Sequence, residues 1–163
     1  MSTPPTHSPL VRLHFGASLA SVVVVTAFLA TSAITEFTGS DGAIRVLRHA
    51  ILYGLPLLAA CLVTAGLTGN RLSGRGKSPI VRRKRRRLQV AAVIGLGILV
   101  PCALILNHLA SSPTIGIAFG TLELTELVFG ALNLYLILRN FVDGLRLSRG
   151  RRAGITLKMG VTR

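Results

Sequence analysis

The stretch that decides the fold is "VLRHAILYGLPLLAACLVTAGL", which runs from Val46 to Leu67. It contains no charged residue after His49, and its two basic side chains, Arg48 and His49, lie near its start. An α-helix rises about 1.5 Å per residue, so a run of this length crosses the roughly 30 Å of bilayer hydrocarbon. The stretch therefore predicts a transmembrane helix that carries ionisable groups near one end.

Three other apolar runs have a similar length, at Leu13–Ile34, Val90–Leu109 and Ile115–Leu138. A soluble protein of this size would instead show amphipathic periods. The connections between successive runs are short enough to favour antiparallel neighbours. The sequence thus predicts an all-α integral membrane protein with four transmembrane helices in an up-down antiparallel bundle.

The predicted boundaries divide the chain into two tails and one membrane domain. A flexible tail covers 1–12, a transmembrane domain covers 13–147 and a basic tail covers 148–163. Within the domain the helices are expected at about 13–35, 46–68, 89–110 and 114–140, with a basic loop at 70–88.

Charge is segregated along the chain, which carries 19 Lys and Arg against 5 Asp and Glu although half of its residues are hydrophobic. The loop 70–88 holds nine of the basic residues and the segment 139–163 holds seven, whereas the other two connections contribute only Arg45 and Arg48. The positive-inside bias predicts that both termini and the basic loop are cytoplasmic, in a bacterial inner membrane.

The basic loop itself has two possible partners, nucleic acid and the lipid surface. It contains no aromatic residue and no recognisable nucleic-acid-binding fold, so we expect no nucleic acid. Basic residues beside a transmembrane helix are attracted to anionic leaflets. The predicted partner is therefore the lipid bilayer, through its anionic headgroups.

Two histidines fall at nearly the same predicted depth. His49 lies about three residues inside the second helix, and His108 lies about two residues from the end of the third. Imidazoles that face each other across a bundle supply the two axial ligands of a haem, and ionisable residues in membranes suggest function. The sequence predicts one haem b on His49 and His108, with Arg45 and Arg48 placed to meet its propionates. The alternative is that both histidines are interfacial or packing residues.

This arrangement resembles b561-type and related small membrane cytochromes, in which helix histidines of a four-helix bundle hold haem. The resemblance implies a part in membrane electron transfer. Members with two haems use a second histidine pair on the other side of the membrane. Only His14 lies near the cytoplasmic side here, so the resemblance implies a single haem near the outer surface. A zinc site is disfavoured because it needs three or four ligands.

The last predicted helix contains Glu123, Glu126 and Asn133, which share one face. Lipid exposure of a charged carboxylate costs about 2.5 kcal/mol or more, so this face is expected to look into the bundle or at a partner. We expect no ion pair for these glutamates within the chain, because no Lys or Arg lies in a predicted membrane core. A proton path, a hydrogen bond to a quinone or haem, and helix–helix contact all remain open.

The sequence contains no catalytic motif, and its soluble segments are too short for a catalytic domain. Independent enzymatic activity is therefore not expected. The first functional hypothesis is a haem-binding electron-transfer protein. The alternative is a cofactor-free accessory or assembly subunit that packs through its fourth helix against other membrane subunits or a second copy of itself.

Overall fold

The computed structural model describes residues 9–73, 79–111 and 116–160, with side chains for all of them except 38, 73, 79–81 and 147–160. The helical elements in these ranges are α1 (Pro9–Thr38), α2 (Asp41–Ser73), α3 (Pro79–Ile94), a π-helical segment (Gly95–Leu99), α4 (Val100–Ala110) and α5 (Ile117–Gly160). Four spans are long and apolar enough to cross a membrane: Pro9–Phe37, Asp41–Leu72, Arg82–Ala110 and Ile117–Arg146. The prediction of an all-α chain with four such helices is confirmed.

The helices extend beyond the apolar runs that predicted them. α2 begins at Asp41 rather than at 46, and the segment predicted as a basic loop is helical from Pro79 onward. α5 continues into the predicted C-terminal tail. Most of the predicted N-terminal tail, including His7, lies outside the described residues. Proline suits the first turn of a helix, and Arg and Lys are good helix formers. The helices therefore continue through charged turns that a prediction from hydropathy leaves out.

The third span contains a π-helical turn at Gly95–Leu99, where the Val100 N–H donates to the Gly95 carbonyl. Pro101 explains its position. A proline has no N–H to donate to the carbonyl four residues earlier, here that of Gly97, and its ring also clashes with that carbonyl. Widening the turn by one residue relieves the clash, and such π turns occur often at functional sites.

α1 and α2 pack closely along their length. A Cβ atom added at Gly54 would lie 2.5 Å from Phe28 Cζ, and one added at Gly69 would lie 2.9 Å from His14 Cε1. His14 Nδ1 is 3.0 Å from Thr68 Oγ1 and 3.1 Å from the Ala65 carbonyl oxygen. The beginning of α1 therefore lies beside the end of α2, and small residues allow the approach.

α5 contacts the other spans through two apolar clusters. One joins Val25 of α1, Ala91 of α3 and Ile137 of α5. The other joins Leu106 and Ala110 of α4 to Phe119 of α5. α5 is therefore packed against the rest of the bundle at two levels.

Charged side chains gather at both ends of the bundle. At one end, called here the basic end, Arg87 Nη1 donates to Asp143 Oδ2 over 2.7 Å, and His14 and Lys84 lie nearby. At the other, called the acidic end, the charged residues include Glu36, Arg48, Glu123 and Glu126.

Candidate functional site

The inward face of α5 carries a regular stripe of buried residues. They recur at alternating spacings of four and three residues, and all but the partly buried Glu126 are buried. The stripe consists of Phe119, Glu123, Glu126, Gly130, Asn133, Ile137 and Asn140. This spacing keeps side chains on one side of a helix over many turns. Four of the seven are polar, so the stripe is unlike the apolar core seam that usually has this spacing.

Arg48 joins α2 to this stripe at the acidic end. Its Nη2 donates to Glu123 Oε1 over 2.6 Å, and its Nη1 donates to Glu126 Oε2. The side chain of Arg48 is 1% exposed. The expectation that no arginine reaches these glutamates is wrong. Because α2 begins at Asp41 rather than at 46, Arg48 lies inside the helix instead of at its mouth.

Other groups complete this acidic cluster, which we define as Glu36, Arg48, Glu123 and Glu126. The Arg48 guanidinium also lies over the Phe119 ring, 5.6 Å from its centroid, within the range of a cation–π contact. Glu36 of α1 is close enough to interact with the Glu123 carboxyl. Buried Glu123 Oε2 has no hydrogen-bond partner among the described residues. Arg48 therefore contacts two carboxylates, and a third carboxyl group, that of Glu36, lies beside one of them.

Arg45 lies one turn before Arg48 and makes a different contact. Its Nε donates to the Ala110 carbonyl oxygen over 2.8 Å. The last carbonyls of a helix have no partner within the helix, so a side chain commonly satisfies them. The contact fastens the beginning of α2 to the end of α4.

The predicted haem ligands lie elsewhere on the bundle. The side chains of His49 and His108 are both exposed on its surface, while Arg45 and Arg48 contact Ala110 and the glutamates. A haem held inside the bundle would need both imidazoles turned inward. Haem binding stays a prediction, which a reduced-minus-oxidised spectrum of the purified protein tests.

The part of the chain that the structure describes contains no group of three or more His, Cys, Asp or Glu side chains that could hold a metal ion.

The stripe continues toward the basic end through two buried asparagines. Asn133 packs beside Gly95, where an added Cβ would lie 3.6 Å from Asn133 Nδ2. Asn133 Oδ1 and both amide atoms of Asn140 are buried without a partner among the described residues. Asn140 was not predicted, although it lies seven residues after Asn133, at the same spacing that separates Asn133 from Glu126.

The glutamates need no partner protein to account for their burial, because Arg48 of the same chain faces them. No family model, no curated protein and no solved structure matches this chain. Any inference about function therefore comes from the acidic cluster and the polar stripe of α5.

Proposed function

We propose that this chain is an integral membrane protein of up-down topology that reversibly binds a proton in its acidic cluster. The carrying observation is that buried Arg48 contacts two glutamates of α5, Glu123 and Glu126, and that the Glu36 carboxyl lies beside Glu123. The charge distribution supports cytoplasmic termini and a bacterial inner membrane, so the cluster would face the outer side.

Charge balance explains why a proton is the ligand. With every group ionised, Glu123 and Glu126 carry two negative charges against the single positive charge of Arg48, and exposed Glu36 adds a third negative charge beside Glu123. Uncompensated buried charge costs several kcal/mol per ion. Conversion of one carboxylate and one proton to a carboxylic acid removes one of these charges. A proton on Glu36 would provide an O–H that can donate to Glu123 Oε2, and a proton on Oε2 itself would turn that unpartnered acceptor into a donor.

The route to the cluster begins at Glu36. Its side chain is exposed, and it lies against buried Glu123. A proton from water can therefore bind first at the exposed carboxyl and then pass to the buried one. Among the other titratable groups, Cys102 of α4 lies near Glu126, while His49 and His108 lie on the bundle surface.

Proton binding in this cluster has a mechanical consequence. The contacts of Arg48 with Glu123 and Glu126 connect α2 to α5. An ionised carboxylate accepts a stronger hydrogen bond from a guanidinium than a neutral acid does. Each proton that enters therefore weakens the connection between these two helices. The proposed function is a proton-dependent link between α2 and α5.

The experiment is infrared difference spectroscopy of the purified protein during a change of pH. Wild type is expected to show the carbonyl band of a buried carboxylic acid that appears and disappears with pH and shifts in deuterated water. Glu123→Gln should remove or displace this band. Asp41→Asn, which removes an exposed carboxyl at the start of α2, should leave it unchanged. A wild type without such a band, or a Glu123→Gln variant that keeps it in place, would refute the proposal.

A further inference from the structure

A small groove opens between α3 and α5 at the basic end. It encloses about 220 Å³ and is lined by Arg83, Arg86, Arg87, Val90 and Leu136. Its α3 residues recur at spacings of three and four, so they lie on one face of the helix. The wall of the groove is almost wholly apolar, so the arginines line it with their methylene stems. Along α3 the arginines precede Val90, which lies nearer the middle of the span Arg82–Ala110.

Two of its arginines are available to a ligand. Arg87 is paired with Asp143. Among the side chains that the structure describes, no carboxylate pairs with Arg83 or Arg86, and both are exposed. The neighbouring Arg85 donates to Asn70 Oδ1 over 2.6 Å, away from the groove.

We propose that this groove binds one anionic phospholipid. Its phosphate contacts Arg83 and Arg86, because guanidinium groups form bidentate hydrogen bonds with phosphate oxygens. One acyl chain lies on Val90 and Leu136. Val90 is seven residues beyond Arg83, or about 10 Å along the helix. The arginines and the apolar surface therefore follow each other in the same order as the headgroup and the acyl chain of a lipid.

This chemistry distinguishes a lipid from other anionic partners. A nucleic acid or an acidic peptide would satisfy the arginines but would leave the apolar floor at Val90 and Leu136 uncovered. The proposed topology decides only which leaflet supplies the lipid, namely the cytoplasmic leaflet with its anionic headgroups. Lipid binding does not depend on proton binding at the acidic cluster, and the two proposals can fail separately.

The test is native mass spectrometry of the full chain purified in mild detergent with phosphatidylglycerol or phosphatidylcholine added. Wild type is expected to retain phosphatidylglycerol in preference. Arg83→Gln with Arg86→Gln should weaken its retention about 25-fold, since each arginine in contact with an anionic headgroup contributes a factor of about five. The matched control, Arg82→Gln with Arg85→Gln, removes the same charge outside the groove and should weaken retention much less.

A second variant examines the apolar part of the groove. Leu136→Trp fills the floor without changing the charge, so it should also reduce retention of phosphatidylglycerol. Helical circular dichroism confirms that each variant is folded. Equal losses in the groove variant and the charge control would overturn the proposal in favour of diffuse attraction. Equal retention of both lipids by wild type, or full retention by Leu136→Trp, would overturn it as well.

Discussion

Arg48 is the side chain on which the packing of the acidic end most depends. It is almost fully buried, and its two terminal nitrogens each contact a different glutamate of α5. Such a group is not by itself a source of stability, because its desolvation offsets much of the attraction. Its removal is costly, however, since it leaves two buried carboxylates facing each other.

We predict that Arg48→Leu lowers the free energy of unfolding by about 3–5 kcal/mol, the range for breaking one partner out of a buried ion pair. The triple variant Arg48→Leu, Glu123→Gln, Glu126→Gln should recover a large part of this loss, because it removes the stranded charges. Denaturant unfolding of purified protein in detergent measures both effects. Arg82→Leu, at an exposed position, is the control. A loss at Arg48 no larger than the loss at Arg82 would contradict the prediction.

The sequence could place Glu123 and Glu126 on one helix face, because their spacing alone determines that. It could not identify Arg48 as their partner. The apolar run begins at Val46, so hydropathy put Arg48 at the mouth of a helix that in fact begins at Asp41. Asn140 was missed for a related reason: it lies two residues beyond Leu138, where the apolar run ends, although its spacing continues the buried stripe.

At the scale of elements, the tight contact of α1 with α2 depends on a glycine. Phe28 occupies the space that a side chain at Gly54 would need. Alanine there forces the ring or the helix to move, and overpacking of this kind typically costs about 1–3 kcal/mol.

We therefore predict that Gly54→Ala lowers the midpoint of thermal unfolding, and that Phe28→Leu in the same chain restores part of it. Gly16→Ala is the matched control. No atom lies within 4 Å of the added methyl group there, and alanine is the better helix former. The midpoint of Gly16→Ala should be unchanged or higher. Equal losses at Gly54 and Gly16 would show that the close approach to Phe28 is unimportant.

Hydropathy predicted the number of spans directly. It predicted neither where the helices end nor the π-helical turn in the third span. The helical turns at Asp41–Arg45 and at 79–88 contain charged residues, so a search for apolar runs does not identify them as helical. The π-helical turn depends on how the helix adapts to the carbonyl that Pro101 obstructs. Gly95, Gly97 and Pro101 stand close together in the sequence, yet the same features are also compatible with a simple kink.

For the whole molecule, contacts between helix ends support the proposed topology. The beginning of α1 meets the end of α2 at His14 and Thr68, and the beginning of α2 meets the end of α4 at Arg45 and Ala110. Both are the contacts expected of an up-down bundle with short connections.

We predict that a reporter fused after Arg163 is active only on the cytoplasmic side, and that one inserted between Gly39 and Ser40 is active only on the outer side. The reason is the concentration of basic residues in 70–88 and 139–163. The opposite pattern would contradict the proposed orientation and would assign the arginine groove to the outer leaflet.

In the proposed orientation, the depth of the acidic cluster would make it sensitive to membrane voltage. Glu123 lies six residues beyond the start of the last span at Ile117, or about 9 Å along the helix, roughly a third of the hydrocarbon thickness. A proton that reaches Glu123 from a positive outer side crosses about a third of the field, worth about 0.7 kcal/mol at 100 mV. Energising the membrane would then favour occupancy by as much as a fall of about half a pH unit. A proton-dependent link between α2 and α5 in this position would respond to the whole proton-motive force, and not to acidity alone.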